Sequence, residues 1–156
     1  MIPRIGNGFD IHPFSDDPER KLILGGVELE GPGLSGHSDA DAVAHAVADA
    51  LLGAAGLGDI GTHFPDTDPG LAGADSMKLL EAVVAEVSAG NDIGNVDVTV
   101  VTEAPKIAPH RDDMQRRLSG VVGAPVSVKA KRAESLGAIG RREGVACFAV
   151  ALIVPR

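Results

Sequence analysis

The sequence predicts an α/β (α+β) fold: a single domain, residues 1–156, with a mixed β-sheet covered by helices on one face. Three observations lead there. A chain of 156 residues suits one domain and can bury a core without disulfides. Segments of helical periodicity and apolar strand-like segments alternate irregularly along it. The C-terminal run Val145 to Val154 is apolar on both faces. As a strand it needs cover on both, from helices or from a neighbouring subunit.

The elements follow in order. Ile5 to Ile11 reads as a strand whose glycines permit another element to come close. Lys21 to Leu29 reads as a second, broken by a bulge at Gly25-Gly26. Leu34 to Ser38 is a loop. Ser38 to about Ala55 is the clearest helix, because Val43, Val47, Ala50, Leu51 and Ala54 recur at helical spacing. Its start, Ser38-x-x-Asp41, reads as an N-cap followed by a capping-box acid. Gly56 to Gly73 is a long loop rich in Gly, Pro and Asp. Ser76 to Ala89 is a helix and Val96 to Val101 a strand. The loop from Ala104 to Pro109 leads into a third helix, Arg111 to Val122. Val126 to Ala130 and Val145 to Val154 close the chain as strands.

Composition excludes several classes of function. The net charge is −8 and aromatic residues make up 3%, so basic stripes and stacking platforms for nucleic acid are lacking. No basic amphipathic helix and no apolar run of spanning length indicate a membrane. Met1 to Gly6 has no apolar signal core. The expectation is a soluble, cytoplasmic protein. Cys147, the single cysteine, lies in an apolar run and reads as a small buried hydrophobe.

Four constellations can carry chemistry. Asp10 and His12 are two apart and point to one face of a strand. His45 sits roughly 200° around its helix from Val43, at about 100° per residue, and so is off the core face. Two imidazoles and one carboxylate suit Zn²⁺ and leave a fourth position open. A turn Asp and a part-exposed His account for the same spacing. Next, Asp41, His45 and Asp49 are four apart on one helix stripe. His37 and Ser38 precede them at a helix start, a natural place for anions. Solvated side chains would give the same pattern. Third, Gly56-x-Gly58-x-x-Gly61 follows a helix and opens a loop, so it is no dinucleotide fingerprint. Asp59 and Asp66 on that loop can accept from substrate hydroxyls or cap local turns. Last, Lys106 and the run Lys129-Ala130-Lys131-Arg132-Ala133-Glu134 each follow a strand. Cations there suit phosphate, and Glu134 suits a divalent ion. A solvated charged turn fits these residues as well.

Eight ordered blocks then carry a resemblance over nearly the full length. They are G-x-G-F-D-x-H (Gly6 to His12), H-S-D-A-D (His37 to Asp41), H-A-V-A-D-A-L-L-G-A-A (His45 to Ala55), G-D-I-G (Gly58 to Gly61), F-P-D-T-D (Phe64 to Asp68), N-V-D-V-T (Asn95 to Thr99), A-P-K (Ala104 to Lys106) and G-R-x-E-G (Gly140 to Gly144). The chain resembles the 2-C-methyl-D-erythritol 2,4-cyclodiphosphate synthase family of the non-mevalonate isoprenoid pathway. That resemblance implies a zinc-dependent phosphorus–oxygen lyase acting on 4-diphosphocytidyl-2-C-methyl-D-erythritol 2-phosphate. The 2-phosphate attacks the β-phosphorus, CMP leaves, and a cyclic diphosphate forms. By motif position it implies Asp10, His12 and His45 as zinc ligands. His37 and Ser38 contact phosphate, Asp59 and Gly61 hold the methylerythritol hydroxyls, and Asp66 lies nearby. Thr102, Ala104, Pro105 and Lys106 line a cytidine pocket, and Glu134 holds a second cation, Mg²⁺ or Mn²⁺. It also implies a homotrimer with sheets packed around the axis and active sites at the subunit junctions. A central channel able to hold an isoprenoid diphosphate belongs to the family, with Phe9, Arg141 and Glu143 at matching positions.

One departure stands out. The family usually carries threonines where this chain has Lys131, Arg132 and Ala133. The expectation is that Lys131 or Arg132 contacts the diphosphate directly, Arg132 through its planar fork. Two other readings use the same residues. A zinc phosphohydrolase would give linear products, and a trimeric isoprenoid-diphosphate binding protein would not need His45.

Overall fold

β1 (Arg4–Pro13) alternates between the two faces of a four-stranded sheet ordered β1-β6-β4-β5. The computed structural model describes residues 1–156. After β1 come β2 (Leu22–Leu24), β3 (Val27–Leu29), α1 (Ala42–Ala55), α2 (Ile60–His63), α3 (Ser76–Ser88) and β4 (Asn91–Val101). Then follow α4 (Arg111–Val122), β5 (Val126–Lys131), α5 (Gly137–Gly140) and β6 (Gly144–Pro155). β6 runs antiparallel to both β1 and β4, whereas β4 and β5 are parallel, so the sheet is mixed as expected. No helix is long and apolar enough to cross a membrane.

One face of β1 is nearly bare. A Cβ on Gly8 would lie 1.9 Å from the Ala46 carbonyl oxygen, and one on Gly6 would lie 2.2 Å from that of Ala50. The missing side chains let the α1 backbone rest on the strand, as the glycines predict. α1 in turn offers small residues to the strand and buries Val43, Val47, Leu51 and Leu52 in the core. α3 and α4 extend that layer with Leu80, Val83, Met114 and Leu118, all on the same face of the sheet.

The other face is open. Phe148 and Val150 are 50% and 49% exposed, beside Ile5, Phe9 and Ile11 on β1. The expected cover on both faces of β6 is therefore absent within one chain. Adjacent residues alternate there, with Cys147, Ala149 and Ala151 buried on the helix-covered face.

Three local expectations change. Gly25 and Gly26, at φ +59° and +73°, form the two-residue turn of a β2–β3 hairpin rather than a bulge. β4 starts at Asn91, through polar residues that hide its first half from an apolar pattern, and bulges near Ile93–Asn95. Helix α1 starts after Asp41, not after Ser38: the Asp41 carboxylate accepts from Ala44 N at 3.0 Å. The same carboxylate accepts from Gly25 N at 2.8 Å and Gly26 N at 2.7 Å. Burial pushes its pKa up to about 6 although three N–H donors pull it down. One buried side chain thus fastens the hairpin to the start of α1. Asp41→Ala should lose a cap and two further charge-assisted bonds, about 2–4 kcal/mol in urea unfolding. A loss under about 1 kcal/mol would show that these N–H groups find other partners.

Candidate metal and nucleotide sites

Asp10 and His12 share the face of β1 that carries Gly6 and Gly8, and so point at α1. His45, one turn into α1, meets them there. His12 Nε2 lies 2.8 Å and His45 Nδ1 3.1 Å from Asp10 Oδ2. One donor atom from each of the three side chains lies within 4.8 Å of the others. The His12 ring is held from behind, because its Nδ1 donates to the Ser35 carbonyl at 2.8 Å. Arg20 pins that segment by donating to the carbonyls of Leu34, Gly36 and Ser38.

A carbonyl accepts only, so Nδ1 carries the proton and Nε2 of neutral His12 is a lone pair. That nitrogen is buried, faces a carboxylate oxygen, and has no aligned hydrogen-bond partner. Two lone pairs this close need a proton or a metal ion between them. The donor set fits a divalent metal of intermediate softness. Without a metal, the protein answers with protons. Burial pushes the His12 pKa down, and the pairing with Asp10 outweighs it, leaving His12 above its ordinary 6.5. Burial likewise pushes Asp10 up, and His12 and His45 outweigh that, leaving it below 3.8.

A cleft of about 260 Å³ opens beside this cluster, lined among others by His12, His37, Ser38, His45, Gly61 and Asp66. Ser38 is nearly buried, its Oγ 3.3 Å from His45 Nε2. His37 Nε2 donates to the Asp68 carbonyl at 2.7 Å and ties down the following loop. Asp59 is outside this lining and caps α2, accepting from Thr62 N and Oγ1 at 2.8 Å each. Those Thr62 bonds hold its carboxyl below the usual range. Asp49 accepts from Ile60 N at 2.7 Å and anchors α2 to α1. The stripe Asp41, His45 and Asp49 therefore splits three ways: a hairpin clasp, a cluster member and a helix anchor.

A second cavity, about 440 Å³, lies past the carboxyl ends of the parallel pair β4 and β5. Its lining brings Thr102, Pro105, Lys106, Lys131 and Arg132 together. Ala104 lines an adjoining cleft with Pro105 and Lys106. The Thr102 hydroxyl donates to the Ala104 carbonyl at 2.7 Å, and Ala104-Pro105 is cis. Sequence reasoning missed Arg111 and Arg142, which also line the cavity. Nothing distinguishes Arg111 from an ordinary helix start, and Arg142 sits beside the motif residue Arg141.

Arg132, expected to reach a diphosphate, lines the cavity and is also paired within the chain. Its Nη2 and Nε lie 2.9 and 3.3 Å from Glu103 Oε2, so its fork already holds a carboxylate. The Glu103 side chain is only 3% exposed and also accepts from Ala133 N at 2.7 Å. Its hydrogen bond to Arg132 lowers its pKa. Lys131 has no such carboxylate partner. Glu134 follows on this loop, exposed, at φ +54°. Arg141 lines neither cavity and pairs with Glu143 at 2.7 Å, and Phe9 rests on Phe148 with ring centroids 5.0 Å apart.

The profile of the YgbB family matches residues 3–154. The chain belongs to the YgbB family. Among its relatives, the 2-C-methyl-D-erythritol 2,4-cyclodiphosphate synthase of Cupriavidus metallidurans is 55% identical over 158 residues, which cover 98% of this chain and 93% of that protein. The bifunctional enzyme IspD/IspF of Anaeromyxobacter dehalogenans is 54% identical over 153 residues, 96% of this chain. This chain spans only 39% of that longer relative. The solved structure of IspF from Plasmodium falciparum in complex with CDP is similar at a TM-score of 0.85 and 37% identity, covering 99% of this chain and 97% of that one. The similarity to that solved structure agrees with the fold described above, a mixed sheet with helices on one face.

The shifted groups set a pH window for the metal-free protein. His12 has a raised folded pKa, so its pairing stabilises below 6.5 and is lost as pH rises through that folded value. Asp10 has a lowered one, so its share is present above 3.8 and lost as pH falls through its folded value. Chelator-treated protein should lose urea stability above pH 6.5, and His12→Asn should lose that slope. Equal slopes in both proteins would mean that the pairing contributes nothing.

Proposed function

We propose that this chain converts 4-diphosphocytidyl-2-C-methyl-D-erythritol 2-phosphate to 2-C-methyl-D-erythritol 2,4-cyclodiphosphate and CMP. The observation that carries the reading is the convergence of Asp10, His12 and His45 beside His37, Ser38 and Asp66 in a member of the YgbB family. The names of its relatives support it, and so does a CDP complex of a protein with this fold.

The nucleophile in this reaction is a phosphate of the substrate itself. No side-chain nucleophile is needed, and Cys147 is unsuited, since burial pushes its thiol pKa well up. The difficulty is electrostatic: two phosphates of one molecule must meet. Lys106, Arg111, Lys131 and Arg142 would spread positive charge around the diphosphate, and the pocket past β4 would take the cytidine. His37 and Ser38 would hold the attacking phosphate, with Asp59, Gly61 and Asp66 on the sugar-alcohol hydroxyls. Asp10, His12 and His45 would hold zinc, which when bound supplies charge neutralisation on phosphate oxygens. Glu134 offers a single carboxylate, the usual protein share of a Mg²⁺ or Mn²⁺ site completed by phosphate.

The cluster cleft and the cation-lined cavity share no lining residue within one chain. A homotrimer joins the half-sites of neighbouring chains and covers the open sheet face. Ile5, Phe9, Ile11, Phe148 and Val150 are already partly buried, so covering what remains exposed would contribute at most about 0.7–2 kcal/mol each. The space enclosed along the axis would be apolar near Phe9 and Phe148, and Arg141 with Glu143 would offer charge to an isoprenoid diphosphate. The activity itself has a direct test. Phosphorus NMR of the protein with the CDP-linked substrate, Zn²⁺ and Mg²⁺ should show the cyclic diphosphate and CMP growing together. Linear phosphate products would make the chain a phosphohydrolase and end this reading.

A further inference from the structure

His45 is the one cluster member not on β1, so its ring must be oriented by its own neighbours. Nδ1 faces Asp10. Nε2, on the far side, lies 2.8 Å from Ser76 Oγ. Ser76 is the first residue of α3 and is 1% exposed. Its hydroxyl donates to Asp39 Oδ1, and its backbone N donates to Asp39 Oδ2 at 3.2 Å. Asp39 is itself fixed, accepting from Asp41 N at 3.1 Å just ahead of α1. Ser38 Oγ completes the group, 3.4 Å from Ser76 Oγ.

Counting protons decides the tautomer. A carboxylate accepts only, so the bond between Ser76 and Asp39 uses the single hydroxyl proton of Ser76. Ser76 Oγ therefore meets His45 with a lone pair, and Nε2–H of His45 must donate to it. That leaves Nδ1 as the lone pair, on the side of Asp10 and the His12 nitrogen. We propose that Asp39 and Ser76 are positioning residues, which fix His45 in its metal-binding tautomer and aim Nδ1 at the cluster. His12 receives the same service from the Ser35 carbonyl, which no substitution removes. For His45 it comes from two side chains, brought together from the starts of α1 and α3. Partners of this kind raise the basicity of a ligating imidazole and resist its rotation. The proposal rests on the reading of Asp10, His12 and His45 as a metal site.

The test uses the full-length protein, Ser76→Ala, Ser76→Thr and, as a second break in the relay, Asp39→Asn. Histidine side-chain ¹⁵N NMR of chelator-treated protein reads the His45 tautomer. Competition with a chromophoric chelator reads zinc affinity. Wild-type protein should keep a proton on His45 Nε2, bonded to Ser76. Ser76→Ala should mix the tautomers and weaken zinc by about 10- to 100-fold. Ser76→Thr, which keeps the hydroxyl, should restore both, and Asp39→Asn should fall between. Wild-type tautomer and zinc affinity in folded Ser76→Ala or Asp39→Asn would overturn the proposal. If wild-type protein binds no zinc, the metal reading fails, and the tautomer shift alone then decides whether the relay orients His45.

Discussion

The contact between β1 and α1 leaves no room for a side chain, and the candidate metal cluster depends on it. Gly6 and Gly8 let the helix backbone touch the strand, with an Ala46 carbonyl where a Cβ of Gly8 would stand. Asp10 and His12 continue that same face of β1 just beyond the end of the bare stretch. His45 is then brought over them by the helix with no long side chain to span the gap. A single methyl at Gly8 would push α1 outward and separate His45 from its partners by the same displacement. The cluster is thus a consequence of backbone packing first and of side-chain chemistry second.

The sheet register explains where the second half of the site lies. His12 pairs with Val145 of β6, Val101 pairs with Ala146, and Val101 also pairs with Lys131. The cluster and the cation-lined cavity therefore sit at the same end of the sheet, with β6 between β1 and β4. Each would be half of the proposed site. One offers neutral nitrogen and carboxylate donors, the other cations and a pocket shaped by the loop after β4. The open apolar face formed by β1 and β6 would supply the driving force for the proposed trimer. In the proposed trimer, association would bring a second copy of each half-site within reach.

Much of the site was legible because strand and helix periods are strict. Asp10 and His12 follow from a period of two, and His45 from its angle on α1. Lys106 and Lys131 were legible as cations placed after strands. What was missed depends on tertiary closure. Asp39 and Ser76 are 37 residues apart, and each looks like an ordinary helix-start residue. Ser38 resembled an N-cap because the sequence cannot tell which of Ser38 and Asp41 ends up beside the free N–H groups. In sequence the hairpin reads as one bulged strand, because each arm has only three residues, too few for a pattern. Arg132 looked free because its partner, Glu103, lies on a different strand end 29 residues away.

The claim that a working site takes its two halves from different chains can be measured by mixing. His45→Ala removes the cluster half, and Lys106→Ala weakens the cation-lined half. Each variant alone should have little activity. Unfolded or dissociated together and reassembled, they should regain part of the wild-type rate, because some junctions then pair an intact cluster with an intact cavity. Sedimentation of the mixture should give a trimer. Full activity from a stable monomer, or no recovery in reassembled trimers that contain both variants, would contradict the account.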